Sequence, residues 1–126
     1  MPTILVIDDD DVLRCALRAS LEAAGYDVLE AADAKRGLCL HGERAPDLVI
    51  VDIFMPGVDG LDVIRDLCAR VPEAKILAIS GGGRTGMIDV LSAAAALGAS
   101  RTLPKPFLPR DLLSAVRELL GKRPPP

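Results

Sequence analysis

The sequence predicts an α/β fold, an open parallel sheet with helices on both faces. The main observation is a repeated order: five short segments suited to strands each precede a segment of helical periodicity within the 126 residues. Each connection between strands contains a helix, which is the crossover that parallel neighbours require. Half of the residues are apolar, so a single domain of this length can fill one core.

Three of the five predicted strands are apolar runs rich in β-branched residues, which suits strands buried on both faces. The other two are less apolar. The predicted strands span residues 3–7, 27–30, 48–51, 75–79 and 101–103. A Met-Pro-Gly turn stops the third strand soon after a single acid, Asp52.

Five helices are predicted, four of them from apolar residues at helical spacing and one, the fourth, from an alanine-rich stretch. They span residues 12–24, 34–43, 61–70, 87–97 and 109–120. In the first helix Val12 is expected on the apolar face, while Arg14 and Arg18 are expected on the opposite side. Asp10 or Asp11 is expected to cap this helix, and Gly25 to end it.

Polar side chains follow four of the predicted strands at their carboxyl ends, which is where open parallel sheets place their working sites. Asp8 and Asp9 follow the first strand, Asp52 the third, Ser80 the fourth, and Lys105 lies just past the fifth. A carboxylate at the end of a buried strand is costly to desolvate without a partner cation. The sequence therefore predicts that these groups form one site.

The chemistry of these groups favours a small dianion over an organic substrate. Three crowded carboxylates repel one another and invite a divalent cation, and a site made of oxygen ligands favours Mg²⁺. A carboxylate can act as a covalent nucleophile, so an Asp52 oxygen could attack phosphorus and form an aspartyl phosphate. Lys105 and Ser80 would then contact phosphoryl oxygens, as phosphoryl transfer needs positioning and charge neutralisation.

Four motifs at these positions resemble the receiver domain of two-component response regulators: IDDD, DIFMPGVDG, ISG and LPKPF. Together they span nearly the whole chain. The resemblance implies a flavodoxin-like, doubly wound (βα)5 parallel sheet with strand order 2-1-3-4-5. It also implies a signalling switch that modifies itself, and not an enzyme with turnover.

The same resemblance implies a role for each site residue. Asp52 is the expected phosphoacceptor. Mg²⁺ is expected to bind Asp9, Asp52 and the backbone carbonyl of Phe54, with Asp8 acting through a bound water. Ser80 and Lys105 correspond to the switch hydroxyl and the phosphate-binding lysine, and the Lys105–Pro106 peptide bond is expected to be cis.

The resemblance further implies a sensor histidine kinase or a phosphotransfer protein as donor, and an unknown downstream protein or a missing output domain as target. A homodimer is one option.

A net charge of −3 and three aromatic residues argue against direct nucleic-acid binding. No apolar run is long enough to span a membrane, and three widely spaced cysteines indicate free thiols in the cytoplasm. We expect the domain over residues 1–121 and a proline-rich tail or truncated linker over 122–126.

Two positions depart from the family pattern. Thr102 stands where receivers often have an aromatic residue, so ring rotation cannot report phosphorylation here. Ser80 is instead expected to pull on the glycine-rich loop at residues 81–86, which would move the helix at 87–97. Leu108 stands where a capping Asp or Ser is usual, so the last helix is expected to begin at Pro109.

Three other functions are compatible with parts of the sequence. A Mg²⁺-dependent phosphohydrolase could use the same aspartyl phosphate, but it would want an acid where Phe54 stands. A receiver that has lost phosphorylation is argued against by intact Asp9, Asp52 and Lys105. The run GGGRTG matches a dinucleotide-binding pattern, but it follows the wrong strand and lacks a ribose-binding acid.

Overall fold

A computed structural model describes residues 2–55, 58–80 and 94–121 of the chain. Five of its strands form one parallel sheet with the order β2-β1-β3-β6-β7. Numbered along the chain, the strands are β1 (Thr3–Ile7), β2 (Asp27–Ala31), β3 (Leu48–Asp52), β4 (Phe54–Met55), β5 (Val58–Asp59), β6 (Ile76–Ser80) and β7 (Arg101–Pro104). Counted within the large sheet alone, this is the order 2-1-3-4-5, so the predicted fold class is confirmed.

Helices cover both faces of the sheet. They are α1 (Asp11–Ala23), α2 (Ala34–Arg44), α3 (Gly60–Arg70), α4 (described over residues 94–97) and α5 (Pro109–Leu120). The buried residues of α1 and α5 pack into one apolar cluster, and those of α2 and α3 pack with Ala94 into the other. The sheet is therefore doubly wound, with a core layer on each face.

The central strands supply both layers because their side chains alternate between the two faces. In β1, Leu5 and Ile7 belong to the cluster under α2 and α3, whereas Ile4 and Val6 belong to the cluster under α1 and α5. All five residues of β3 are buried. This double burial explains why these strands appear in the sequence as unbroken apolar runs.

Helix α1 has the predicted cap and the predicted terminating glycine and lies one residue earlier than predicted, but one residue of its predicted apolar face is wrong. The Asp10 carboxylate accepts hydrogen bonds from the backbone N–H groups of Val12 and Leu13, and Gly25 follows the helix at a φ of 98°. The Val12 side chain is 81% exposed. The inward row runs through Leu13 and two further leucines at four-residue steps, and Val12 lies one residue off that row.

A short hairpin was not predicted. Two-residue strands β4 and β5 pair antiparallel, with Phe54 opposite Asp59 and Met55 opposite Val58. Such short strands carry too few residues to show alternation. The predicted turn at residues 56–57 lies outside the described residues, as do the glycine-rich loop at 81–86 and most of the helix predicted at 87–97.

The last helix begins at Pro109, as predicted. Leu108 occupies the position before it and offers no side-chain acceptor, but its own N–H donates to the Asp111 carboxylate at 3.1 Å.

Cys15 and Cys39 are exposed, Cys68 is partly buried, and all three are free thiols. Within the described ranges, no helix has both the length and the apolar character needed to cross a membrane.

Two glycines of α2 provide a test of how tightly this helix packs on the sheet. A Cβ at Gly37 would lie 2.7 Å from Cγ1 of Ile7, whereas a Cβ at Gly42 would meet no atom within 4 Å. We expect Gly37→Ala to lower the free energy of unfolding by about 1–3 kcal/mol through overpacking. The control Gly42→Ala should raise it by roughly 0.5–1 kcal/mol through helix propensity.

Urea unfolding followed by circular dichroism measures both variants. Equal effects of the two substitutions would contradict the close contact between α2 and β1.

Candidate functional site

Three acids meet at the carboxyl ends of β1 and β3, which are neighbours in the sheet. Ile7 pairs with Val51, so Asp8 and Asp52 each lie one residue further along adjacent strands. Asp8, Asp9 and Asp52 each offer a carboxylate oxygen, and these oxygens all lie within 4.8 Å of one another. Asp8 is fully buried and Asp52 is 4% exposed, whereas Asp9 is exposed. The cluster thus opens to solvent on the side of Asp9.

The local backbone fixes one oxygen of Asp8 and leaves the other without a partner. The Asp8 N–H donates to the carbonyl of Ala31 at 3.1 Å, which extends the ladder between β1 and β2. Its Oδ1 accepts a hydrogen bond from the N–H of Asp10 at 2.9 Å. Its Oδ2 is buried and has no hydrogen-bond partner in the part of the chain that the structure describes.

Burial raises the pKa of Asp8 from 3.8 to about 6. The charge of the nearby Asp52 carboxylate also raises this pKa, while the Asp10 N–H and the Lys105 charge lower it. Ionising Asp8 is therefore harder in this pocket than in water. A bound cation would reverse this effect because it stabilises the carboxylate.

Lys105 brings a positive charge to the cluster. Its Nζ lies 3.3 Å from Oδ2 of Asp52, and the two side chains are 24% and 6% exposed. The backbone places it, because the Lys105 N–H donates to the Ser80 carbonyl at 2.7 Å. The Lys105–Pro106 peptide bond is cis, as expected. One ammonium cannot balance three carboxylates, so the site keeps an excess of negative charge.

Ser80 ends β6, the strand on the other side of β3. The strand register places Ser80 one residue beyond Ile79, which pairs with Asp52. Its side chain is fully buried, and its hydroxyl has no hydrogen-bond partner among the described residues. Phe54 lies two residues past Asp52, where its backbone pairs with Asp59. The five sequence-predicted side chains thus come from neighbouring strand ends at one edge of the sheet.

Comparison with known proteins identifies the family. A family model of the response regulator receiver domain matches residues 4–117. The chain belongs to this family. Its receiver domain contains the acids and the lysine described above within the matched range.

Among known proteins, the receiver is similar to the response regulator MprA of Mycolicibacterium vanbaalenii, with 38% identity over 122 residues. That alignment covers 97% of this chain and 52% of the relative. The chain spans about half the length of the curated relatives it matches. Among solved structures, a CheY-like receiver from Methanospirillum hungatei has 28% identity and a TM-score of 0.89, covering 97% of this chain and 95% of that one.

A second solved structure, the receiver domain of NtrX from Brucella abortus, has 31% identity and a TM-score of 0.88. The match covers 95% of this chain and 99% of that one. These similarities establish the family and the fold.

Sequence reasoning gave no role to Gly60, yet this glycine borders the site. A Cβ there would lie 2.5 Å from Cα of Ile53 and 2.6 Å from the carbonyl oxygen of Asp52. The Gly60 N–H donates to the Ile53 carbonyl at 2.9 Å. Helix α3 can start against the end of β3 only because this residue has no side chain. A glycine at the first position of an apolar-periodic segment was the available signal.

Arg14 was expected on the side of α1 opposite its apolar face, yet the structure shields this arginine from solvent. Its side chain is 15% exposed, and it donates a hydrogen bond to the carbonyl of Asp8 at 2.7 Å. Helical periodicity places a residue on a face but does not say what the neighbouring loop brings to that face. The contact depends on tertiary structure.

The raised pKa of Asp8 predicts a pH-dependent stability. The folded protein holds this proton more tightly than the unfolded chain, so ionising Asp8 costs stability as the pH rises from about 4 to about 6. The shift corresponds to roughly 3 kcal/mol at most. In the absence of divalent cations, we expect Asp8→Asn to be more stable than the wild type at about pH 7.5, with a difference that fades towards about pH 4.

Urea unfolding at a series of pH values in chelator measures this difference. The control Asp27→Asn changes an exposed acid at the amino end of β2 and should show no such dependence. A stability difference for Asp8→Asn that is constant with pH would contradict the assignment.

Proposed function

We propose that this receiver domain is a phosphorylation-dependent switch in which Asp52 accepts a phosphoryl group. The observation that carries the proposal is the pairing of a nearly buried carboxylate, Asp52, with Lys105 at 3.3 Å beside two further acids. Family membership supports it, because the relatives include response regulators of two-component systems. The proposed donor is a sensor histidine kinase or a phosphotransfer protein.

In the proposed reaction, an oxygen of Asp52 attacks phosphorus as the bond from phosphorus to the donor's histidine nitrogen breaks. The imidazole leaves with the electron pair of that bond, and Asp52 becomes an acyl phosphate. Lys105 neutralises one phosphoryl oxygen. The Ser80 hydroxyl, buried and without a partner in the described chain, donates to another. Positioning and charge neutralisation are what phosphoryl transfer requires of a protein.

A divalent cation fits the residues present. The proposed ligands are Asp9, Asp52 and the backbone carbonyl of Phe54, with Asp8 acting through a bound water. All are oxygen donors, which Mg²⁺ prefers. The Oδ2 of Asp8, which has no partner among the described residues, is a buried acceptor that needs a donor or a cation. When bound, Mg²⁺ supplies positive charge for the phosphoryl oxygens.

The proposed switch modifies itself and does not turn over a separate substrate. With Thr102 in place of an aromatic residue, the proposed readout is that Ser80 pulls the loop at residues 81–86 towards the phosphate, which moves the helix predicted at 87–97. The downstream target is a protein or an output domain, a homodimer is one proposed signalling form, and direct nucleic-acid binding is not proposed for residues 1–121. We place this reaction in the cytoplasm, with residues 122–126 as a tail or linker.

Intact mass measurement with Mg²⁺ and acetyl phosphate tests the proposal. We expect the wild type to gain one phosphoryl group that hydroxylamine removes, because acyl phosphates react with this nucleophile. Asp52→Asn should stay folded and unlabelled. The control Asp27→Asn, which changes an exposed acid far from the site, should be labelled like the wild type.

Each other outcome has a distinct meaning. Labelling of Asp52→Asn would show that another residue is the acceptor. An unlabelled wild type would indicate a receiver that has lost phosphorylation. Steady release of phosphate from a phosphate ester would favour the phosphohydrolase.

A further inference from the structure

The Arg14 side chain joins three parts of the chain beside the acid cluster. Its Nη1 donates to the carbonyl oxygen of Asp8 at 2.7 Å, its Nε to Oε1 of Glu30 at 2.9 Å, and its Nη2 to Oδ1 of Asp11 at 2.6 Å. The side chain is 15% exposed, which is unusual for an arginine. The planar guanidinium of Arg14 thus donates hydrogen bonds to the end of β1, to the edge strand β2 and to the start of α1.

The bond to Asp8 controls the peptide that links the two acids after β1. The carbonyl that Arg14 contacts belongs to the Asp8–Asp9 peptide, so the orientation of this peptide sets where the Asp9 side chain leaves the backbone. The Asp8 N–H is held separately by the Ala31 carbonyl, and its Oδ1 by the Asp10 N–H. Without Arg14, the peptide after Asp8 would lose the hydrogen bond that fixes its rotation.

The guanidinium is itself anchored on the edge strand. Glu30 lies on β2, opposite Val6 of β1. Its carboxylate also accepts from Arg18 at 2.5 Å, and Arg18 and Arg14 both lower the pKa of Glu30. Three carboxylates, those of Asp11, Glu22 and Glu30, therefore balance the charges of Arg14 and Arg18. This balance lets a cation sit near the guanidinium at little electrostatic cost.

We infer that Arg14 is a positioning residue for the cation site: by holding the Asp8–Asp9 peptide, it places the Asp8 and Asp9 carboxylates where they meet that of Asp52. This inference rests on the proposed Mg²⁺-assisted function. Lysine cannot replace arginine here, because a single ammonium lacks the rigid fork that reaches three acceptors.

Magnesium titration followed by ¹H–¹⁵N NMR tests the inference in the wild type, Arg14→Ala, Arg14→Lys and the control Arg18→Ala. We expect Arg14→Ala to raise the Mg²⁺ dissociation constant about tenfold, the lower end of the effect of losing a partner that orients metal ligands. The Mg²⁺ dissociation constant of Arg14→Lys should be closer to that of Arg14→Ala than to that of the wild type. Among the residues that the structure describes, Arg18 donates hydrogen bonds to Glu22 and Glu30 and to no acid of the cluster, so its loss should leave the constant within about twofold.

Rates of labelling by acetyl phosphate provide a second readout. In Arg14→Ala the Mg²⁺ concentration for half-maximal rate should rise by the same factor, while the rate at saturating Mg²⁺ stays close to that of the wild type. If Arg14 had a merely structural role, its loss would lower the folded fraction, measured by circular dichroism. It would not raise the Mg²⁺ concentration for half-maximal rate while leaving the rate at saturating Mg²⁺ unchanged. If Arg14→Ala fails to fold, Arg14→Lys decides the question by the same two readouts.

The outcomes separate the two proposals. A wild type that binds no Mg²⁺ would contradict the proposed function. A wild type that binds Mg²⁺, together with folded Arg14 variants that bind it equally well, would overturn the role of Arg14 and leave the proposed function standing.

Discussion

The structure depends on one constraint, the burial of two carboxylates side by side at the ends of β1 and β3. Asp8 is fully buried and Asp52 nearly so, and burial with mutual repulsion raises the pKa of Asp8 to about 6. A fold gains no stability from this arrangement, because ionised groups lose their hydration there. Lys105 offsets part of the charge. The remaining negative charge destabilises the fold, and a bound cation would relieve this destabilisation. For this reason we place the function at this cluster.

The fold delivers the partners of these acids through the order of its strands. Because β3 lies between β1 and β6, the ends of three neighbouring strands bring Asp8, Asp52 and Ser80 to one edge. Hydrogen bonds beyond the ladders then set the finer geometry: Lys105 is held through the Ser80 carbonyl, and Asp8 through Ala31 and Arg14. The site is therefore built by backbone groups of the sheet as much as by its own side chains.

Much of this could be predicted from sequence because buried parallel strands leave a strong signal. The unbroken apolar runs located β1, β3 and β6, and the polar residues at their ends fell on the correct edge because strand direction decides this. The directions of the side chains on α1 were harder to predict. Val12 is exposed because the helix packs on the sheet through its row of leucines. Arg14 is largely buried because it donates a hydrogen bond to the Asp8 carbonyl. The hairpin of β4 and β5 and the close approach at Gly60 are tertiary contacts, which periodicity does not record.

The central claim is that the acid cluster binds a divalent cation, and that this cation relieves the destabilisation caused by burying the carboxylates together. Urea unfolding of the wild type at increasing MgCl₂ and constant ionic strength tests it most directly. The account predicts a free energy of unfolding that rises with the logarithm of the Mg²⁺ concentration above the dissociation constant, and a much smaller rise in Asp52→Asn. Equal stabilisation of both proteins, or none in the wild type, would contradict the account.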